Sequence, residues 1–382
     1  MPPDVLTTAC ILQNNVLAPL KQTFVGKDEI IDLMGIALAA GENLFLLGPP
    51  GTAKTALIHE LGRRLDARSF DYLLTRFTEP NELFGPFDIR RLREGDLVTN
   101  TEGMLPEADL IFLDELLNAN SAILNSLLMV LNERVFRRGR ETRPIPALLV
   151  TGASNHLPED EALRALFDRF LLRVRCGPVP DDSLAAVMEA GWRLESAAKP
   201  VAALTAESVR EIQQAVRHVD LAPVRSEMAS LVLKLRQAGV TVSDRRAVRL
   251  QRVVAGSALL AGRTTARPSD LWVFAHVWDR EEQIEIIAGL VREVLDEAGS
   301  SSGDHPRASA AEAPDPEALA AALTELSSRI HAAAAPAAAD ELRRLAGRIE
   351  WVTNSESRRA LQEQGAALWE QVTHATSWQM AS

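Results

Sequence analysis

A loop of small residues that ends in a lysine and a threonine is the first segment whose composition suggests chemistry. The stretch GPPGTAKT runs from Gly48 to Thr55 and follows the apolar residues 44–47. Small residues let backbone amides approach a phosphate, a lysine supplies positive charge, a hydroxyl can hold Mg²⁺, and the start of a helix favours anions. We therefore predict a nucleotide-binding loop formed by Gly48, Pro49, Pro50, Gly51, Thr52, Ala53, Lys54 and Thr55.

Ala53 stands where the usual pattern of such a loop has a second glycine. Alanine is the next smallest side chain and tolerates right-handed helical dihedrals, so it can serve if position 53 already belongs to the following helix. Taken alone, the loop could also be a Gly/Pro turn that a lysine follows by chance. The apolar run before it and the helical pattern over residues 56–65 after it favour the binding loop.

Two adjacent carboxylates, Asp114 and Glu115, end the apolar run at residues 110–113. In a nucleotide site, Asp114 would hold Mg²⁺ through water and Glu115 would polarise the attacking water. Taken singly, the pattern also fits a core strand that leads into a helix capped by acids. Its combination with the loop, each at the end of a predicted strand, favours a site for nucleotide hydrolysis.

Two further polar residues follow apolar segments. Asn155 comes just after a predicted strand, where its amide could reach the terminal phosphate or the attacking water, although an asparagine there is also an ordinary turn residue. Arg169 lies among apolar neighbours near the end of a predicted helix and is a candidate for phosphate contact. An ion pair with Asp168 is the alternative for this arginine.

A pair of arginines, Arg245 and Arg246, opens a predicted helix that Ser243 or Asp244 caps. Positive charge at a helix amino terminus opposes the helix dipole. The pair therefore suggests that an anion, such as a phosphate, lies nearby.

Short apolar runs alternate with helix-like segments over residues 1–180, which predicts an α/β nucleotide-binding domain with a parallel sheet flanked by helices. The strand candidates are residues 43–47, 69–74, 110–113 and 148–153. Because they show little polar alternation, we expect them to be buried on both faces. The polar residues 137–143 predict a hairpin or a loop.

Three more regions follow along the chain. Residues 181–298 show helical patterns and predict an all-α domain. Residues 299–315 are rich in Gly, Ser, Ala and Pro, the composition of a flexible linker. Residues 316–382 contain three amphipathic patterns that predict a small three-helix region. Its tryptophans, Trp351, Trp369 and Trp378, could face a partner, but core packing is the better prediction.

Composition limits the class of protein. The chain has 382 residues, enough for two or three domains, and its net charge of −11 does not favour a general nucleic-acid binder. Cys10 and Cys176 are the only cysteines, which argues against a disulfide framework. The sequence shows neither a membrane-spanning run nor a secretory signal pattern at its start, so we expect a cytoplasmic protein.

The order of these motifs resembles that of AAA+ ATPases. The sequence around these motifs is similar to that of the MoxR group, and within this group it is most similar to the regulatory ATPase variant A subfamily. The segments that carry this resemblance are residues 45–55, 75–86, 105–115, 123–128, 132–134, 166–169 and 242–246. MoxR-type loops also have Ala-Lys at the place of Ala53 and Lys54, so the alanine becomes a marker of the group.

The resemblance implies a P-loop AAA+ core, a helical lid domain and a ring of subunits, usually hexameric, that binds ATP and Mg²⁺ between neighbours. It also implies a role for each site residue. Lys54, Thr55 and Asp114 would bind phosphate and Mg²⁺, and Glu115 would be the catalytic carboxylate. Asn155 would be the first sensor residue, Arg169 the arginine finger that completes the neighbouring subunit's site, and Arg245 the second sensor residue, with Arg246 as a further candidate. Residues 84–104 correspond to an insertion that faces the axial channel in this group.

The resemblance also bears on partners. In the regulatory ATPase variant A subfamily, an inserted small domain binds an inducible lysine decarboxylase, whereas the break at residues 332–339 is too short to hold such a domain. A partner with a von Willebrand factor A domain is common in the group. The main hypothesis is therefore an ATP-hydrolysing, chaperone-like machine that remodels or activates a protein. The alternatives are a nucleic-acid-dependent motor and a nucleotide-gated scaffold whose C-terminal helices bind the partner.

Overall fold

The computed structural model of the protein describes most of the chain. The described residues are 3–93, 98–138, 141–196, 200–299, 303–305, 307–308, 316–330, 342, 345–346, 349, 357 and 359–369. Four helical segments precede the sheet: α1 (Pro3–Ile11), a π-helical turn (Leu12–Leu17), α2 (Ala18–Thr23) and α3 (Asp28–Ala40). Nearly every side chain of α3 is buried, so this helix forms the back of the core.

The strands, in chain order, are β1 (Leu44–Leu47), β2 (Ser69–Leu73), β3 (Leu110–Asp114), β4 (Val135–Arg138), β5 (Glu141–Pro144), β6 (Leu149–Ser154) and β7 (Leu172–Arg175). Five of them form a parallel sheet in the order β2-β3-β6-β1-β7. Leu47 lies opposite Ser154, and Leu113 lies opposite Gly152. Since parallel strands present their carboxyl ends at one edge, the segments after β1, β6 and β3 meet there.

Helices flank this sheet, which confirms the predicted α/β fold. They are α4 (Lys54–Arg64), α5 (Pro80–Phe84), α6 (Ile89–Arg93), α7 (Ser121–Glu133) and α8 (Glu161–Phe167). Strands β4 and β5 pair in antiparallel fashion directly after α7, so the described residues 137–138 and 141–143 of the polar segment belong to a hairpin rather than to an open loop.

One expectation about the strands was wrong, and one strand was not predicted. β2 is an edge strand with Ser69 and Asp71 exposed, so it is not buried on both faces. β7 was missing from the strand candidates, because Arg173 interrupts an otherwise apolar run. This arginine is fully buried in the structure.

The second, all-α region contains α9 (Leu184–Ser196), α10 (Ala206–Ala215), α11 (Arg225–Gln237), α12 (Asp244–Leu260) and α13 (Gln283–Ala298), with a 3₁₀ segment at Pro268–His276. Ser243 is the N-cap of α12, since its hydroxyl accepts from the amide of Arg246 at 3.2 Å. α12 packs on α3, and a Cβ at Gly256 would lie 3.4 Å from the carbonyl of Ile36, an ordinary contact distance.

The described part of residues 299–315, expected as a flexible linker, instead packs on the rest of the chain. His305 is 1% exposed and stacks on Trp272 with ring centroids 4.9 Å apart. Arg307 Nε donates to Asp32 Oδ2 at 2.8 Å. Composition does not reveal this contact, because the residues that receive the segment lie far away in the sequence.

Beyond this segment, α14 (Pro316–Ile330) follows. The apolar side chains of the three predicted patterns form a second buried cluster, which consists of Leu319, Leu323, Leu326, Leu342, Leu345, Ile349, Leu361 and Leu368. Trp369 packs partly against it. Trp351, Trp378 and residues 332–339 lie outside the described residues. In the described ranges no helix is long and apolar enough to cross a membrane.

Candidate nucleotide site

The loop after β1 is held at the carboxyl edge of the sheet by its first residue. The amide of Gly48 donates to the carbonyl of Ser154 at 2.9 Å. A Cβ at position 48 would lie 2.0 Å from the carbonyl oxygen of Cys176, so only glycine fits between β6 and β7. Gly51 has φ +80°, a conformation that also favours glycine.

Ala53 does not have the conformation that its sequence position suggested. It has φ 63° and ψ 20°, in the left-handed region, and it is the N-cap of α4 rather than a helical residue. The expectation that alanine serves through right-handed helical dihedrals was therefore wrong. A non-glycine residue in this region is strained by about 1–2 kcal/mol, so the loop tolerates the alanine at a cost in stability.

Lys54 turns back into the loop at the start of α4. Its ammonium Nζ donates to the carbonyls of Gly48 at 2.9 Å and Pro49 at 3.0 Å, and the residue is 5% exposed. Thr52 Oγ1 also donates to the carbonyl of Pro49 at 3.1 Å. Within the described part of the chain, neutral carbonyls are the partners of this buried cation, and such a cation is well suited to exchange them for the oxygens of an anion.

Asp114 and Glu115 leave β3 at the same edge, two strands away from the loop. Asp114 Oδ1 accepts from the amide of Glu115 at 3.0 Å, and Asn118 Nδ2 lies 3.4 Å from Glu115 Oε2. Glu115 has φ 49° and ψ 40°, an uncommon conformation for a residue with a side chain. Strain of this kind persists where the surroundings hold a residue in place, and it is common in active sites.

Asn155 lies between these two groups. It follows Ser154 at the end of β6, the strand that separates β1 from β3, and it is exposed. The sheet thus brings the loop, Asn155 and the acidic pair together, as expected from their positions after strands. The hydroxyl of Thr55 and the carboxylate of Asp114 are hard oxygen donors of the kind that Mg²⁺ prefers, so the residues present fit that ion together with water and phosphate.

Arg169 lies at the opposite end of β1. Its carbonyl accepts from Asn43 Nδ2 at 2.8 Å, and Asn43 directly precedes β1. The four residues of β1 lie between this end of the strand and Gly48, and at about 3.3 Å per strand residue they separate Arg169 from Gly48 by roughly 13 Å. The ion pair with Asp168 is present, with Arg169 Nη1 3.2 Å from Asp168 Oδ2.

Arg245 belongs to that same end of the sheet. Its Nη2 donates to Asn132 Oδ1 at 3.1 Å, and Asn43 Nδ2 lies 3.3 Å from the carbonyl of the preceding Leu131. The described contacts therefore place Arg245 near Arg169 and away from the loop of its own chain.

Arg246 is buried rather than available to a phosphate. It is 3% exposed, and its guanidinium donates to the carbonyl of Val277 at 2.7 Å and to Asp279 Oδ1 at 2.9 Å. The anion that offsets positive charge at the start of α12 is thus a carboxylate of the chain itself. Its role as a candidate second sensor is corrected accordingly.

The segment after β7 makes two contacts that have no counterpart in the sequence motifs. Cys176 Sγ lies 3.3 Å from Thr52 Oγ1 of the loop, and the carbonyl of Gly177 accepts from Lys27 Nζ at 2.6 Å. The contact with the loop arises because β7 lies beside β1, so the segment after β7 packs on the loop. Since β7 was not predicted, no sequence signal pointed to Cys176 as a neighbour of the loop.

A parallel sheet with a phosphate-loop sequence after one strand, an acidic pair after another and a helical domain behind it defines a P-loop ATPase of the AAA+ class. Residues 220–291 match the AAA lid domain, and residues 11–214 match the MoxR domain of the MoxR-vWA-beta-propeller ternary systems. The chain belongs to the MoxR family of AAA+ ATPases.

Several known proteins are similar to the chain. The chain is 36% identical over 264 residues to Uncharacterized protein MJ0812 of Methanocaldococcus jannaschii, covering 69% of this chain and 70% of that protein. It is 27% identical over 168 residues to Chaperone MoxR1 of Mycobacterium tuberculosis, covering 43% and 44%. The crystal structure of a "putative ATPase" from Cytophaga hutchinsonii shares the fold, with a TM-score of 0.63 at 19% identity over 78% of this chain and 97% of that one.

Proposed function

We propose that the protein hydrolyses ATP as a ring of identical subunits, usually six in this class, and uses the energy to remodel or activate a protein partner. The observation that supports this most strongly is the strand register, which brings the GPPGTAKT loop, Asn155 and the Asp114–Glu115 pair to one edge of the sheet. ATP is the substrate that this set of groups fits, since each serves one part of phosphate chemistry.

In this proposal the loop amides and Lys54 bind the phosphates, while Thr55 and Asp114 hold Mg²⁺. The metal would supply charge neutralisation on the phosphate oxygens. Glu115 orients and polarises the attacking water, and Asn155 donates to the terminal phosphate or to that water. The strained backbone of Glu115 supports its role, because such a conformation persists where the surroundings hold a residue in place, and strained residues of this kind cluster at active sites.

Arg169 and Arg245 act on the site of a neighbouring subunit. Both lie at the amino end of β1, so neither reaches the phosphate loop of its own chain. A subunit that presents its loop at one end and these arginines at the other forms a head-to-tail contact, which closes into a ring when the rotation permits.

A partner with a vWA domain is the favoured client. The family that matches residues 11–214 is named for systems that combine MoxR, vWA and β-propeller proteins, and one relative is named a chaperone. Residues 84–104 are the proposed channel-facing segment. Two of its described residues contact the β4–β5 hairpin: Arg138 Nη1 donates to the carbonyl of Gly85 at 2.7 Å, and the Arg138 guanidinium lies 4.0 Å from the ring centroid of Phe87.

We also propose that the chain resembles the regulatory ATPase variant A subfamily but does not bind a lysine decarboxylase. The sequence offers no room for the inserted domain between the first two C-terminal helical patterns.

The Glu115→Gln variant tests this function. It should bind ATP and assemble like the wild-type protein but lose turnover, because the amide cannot accept a proton from water. Phosphate release measures turnover, a fluorescent nucleotide measures binding, and sedimentation measures assembly. Unchanged hydrolysis would exclude Glu115 from the reaction, and loss of binding would indicate a folding defect instead.

Mixing experiments test the action of Arg169 on a neighbour. Arg169→Ala and Lys54→Ala should each be inactive, since an arginine finger contributes about 10³- to 10⁵-fold to the rate. In mixed rings an intact loop can meet an intact arginine, and activity should return. Absence of activity at every mixing ratio would contradict action in trans.

A further inference from the structure

A buried ionic junction connects the helical lid to the nucleotide-binding domain. Arg173 of β7 is 0% exposed, and its Nη1 lies 2.5 Å from Asp279 Oδ1. Arg246 of α12 lies 2.9 Å from the same oxygen through its own Nη1. One carboxylate of the lid therefore joins an arginine of the central sheet to an arginine of the lid.

This junction continues to the candidate arginine finger. Arg246 Nη1 is 3.9 Å from Asp168 Oδ1, and Asp168 Oδ2 is 3.2 Å from Arg169 Nη1. Asp279, Arg246, Asp168 and Arg169 thus form a row of alternating charges from the lid to the end of α8. Asp168 is the member that touches both the buried junction and Arg169.

The charges of the buried junction formed by Arg173, Arg246 and Asp279 are unequal, and the excess positive charge couples this junction to Asp168. Arg173 and Arg246 share Asp279, and each guanidinium also donates to a backbone carbonyl, that of Trp278 for Arg173 and that of Val277 for Arg246. Two buried guanidinium groups against one carboxylate leave net positive charge in a medium of low dielectric constant. Asp168 compensates part of that charge, so its position depends on whether Asp279 stays in place.

We propose that Asp279 and Asp168 are positioning residues for Arg169, through which the lid of one subunit controls hydrolysis in the neighbouring site. This rests on the proposed action of Arg169 in trans. When Asp279 holds both arginines, Asp168 is free to orient the Arg169 guanidinium outward. When the Asp279 contact opens, Asp168 turns toward Arg246 and Arg169 loses its orientation.

The first test compares Asp279→Asn with Asp168→Asn in the full-length protein. Each should lower kcat about 10- to 100-fold, the range expected for a misplaced catalytic group, with nucleotide affinity unchanged because the loop is untouched. Asp168 is 42% exposed, so its substitution tests the row even if the buried Asp279 variant unfolds. Wild-type kcat in folded Asp168→Asn overturns the proposal.

Glu281→Gln is the matched control. Glu281 pairs with Arg175 at 3.2 Å and thus joins the same strand to the same part of the lid, but both partners are 45% exposed and the described contacts do not link them to Asp168. Its kcat should stay at the wild-type value. A loss equal to that of Asp168→Asn would assign the effect to the domain contact in general and overturn the specific role of the row.

Mixed rings separate positioning from a defect in the variant's own site. An Asp168→Asn subunit retains its loop, so an excess of Lys54→Ala subunits supplies it with neighbours whose Arg169 is correctly held. Turnover per Asp168→Asn subunit should rise toward the wild-type value, and failure to rise would overturn the proposal. If Arg169→Ala is itself fully active, the proposed function fails as well; if only Asp168→Asn and Asp279→Asn are active, this inference fails alone.

Discussion

The amide of Gly48 and the carbonyl of Ser154 are joined by a hydrogen bond of 2.9 Å that attaches the phosphate-loop sequence to the end of β6. Because Asn155 follows Ser154, the same bond places that side chain beside the loop. Leu113 of β3 pairs with Gly152 of β6, and this register brings Asp114 and Glu115, which follow Leu113, to the same edge of the sheet. The candidate site is therefore a consequence of strand order, and its parts need no long side chains to meet.

Gly48→Ala should lower nucleotide affinity at least about tenfold and destabilise the protein by about 1–3 kcal/mol, because the new methyl group would overlap the carbonyl of Cys176. Fluorescent-nucleotide titration and thermal unfolding measure the two effects. Gly177→Ala is the control: a Cβ there meets no atom within 4 Å, so both quantities should match the wild type. Equal behaviour of the two variants would contradict the close packing at Gly48.

Ala53→Gly should keep ATP affinity within a few-fold of the wild type, whereas Lys54→Ala should abolish binding. Glycine relieves the left-handed strain at φ 63°, worth about 1–2 kcal/mol, but it also adds entropy to the unfolded chain, so stability should change by less than about 1 kcal/mol. Isothermal titration and urea unfolding check these values. If Ala53→Gly loses binding as Lys54→Ala does, the alanine has a role beyond filling space.

Acidification should weaken the docking of His305. Burial lowers the pKa of His305 to about 4, whereas an unfolded histidine has a pKa of about 6.5. Between these values the unfolded state binds the proton more readily, so stability is fully present above pH 6.5 and falls as the pH drops toward 4, by about 3 kcal/mol.

Thermal unfolding of wild type and His305→Phe across this pH range measures the effect, since phenylalanine can stack on Trp272 without titrating. His276 is also buried with a lowered pKa, and the difference between the two proteins removes its contribution. The exposed His218 supplies a control variant, His218→Gln, which should follow the wild-type curve. Parallel curves for wild type and His305→Phe would show that His305 is not buried in solution.

The lid depends on a buried carboxylate. Asp270 is 0% exposed and accepts from Ser257 Oγ at 2.8 Å and from Arg263 Nη2 at 2.7 Å. Asp270→Ala leaves the arginine without its charge partner and should lower the free energy of unfolding by about 3–5 kcal/mol.

Urea unfolding measures that loss, and the adjacent Ser269→Ala is its control. The Ser269 hydroxyl is buried without a hydrogen-bond partner among the described residues, so its removal should be neutral or slightly stabilising. A comparable loss of unfolding free energy in both variants would mean that side-chain packing, and not the ion pair, determines the stability of this part of the lid.

Much of the site could be predicted from local patterns. The loop, the acidic pair and Asn155 each lie immediately after an apolar strand, and a parallel sheet necessarily collects such positions at one edge. The prediction failed where a residue's environment comes from distant segments. β7 was not predicted because it contains Arg173, whose charge partner, Asp279, is 106 residues away in the sequence. The conformation of Ala53 depends on how α4 meets the loop.

Residue types and their spacing along the chain were enough to identify the class of protein and the chemistry of its loop, because they specify phosphate and metal ligands. The folded structure was needed to separate the groups that share this site from those that do not. It placed Arg169 and Arg245 at the far end of β1, buried Arg246 against Asp279, and packed His305 on Trp272. The physical reason is that burial and ion pairing depend on distances in space, which spacing in the sequence does not contain.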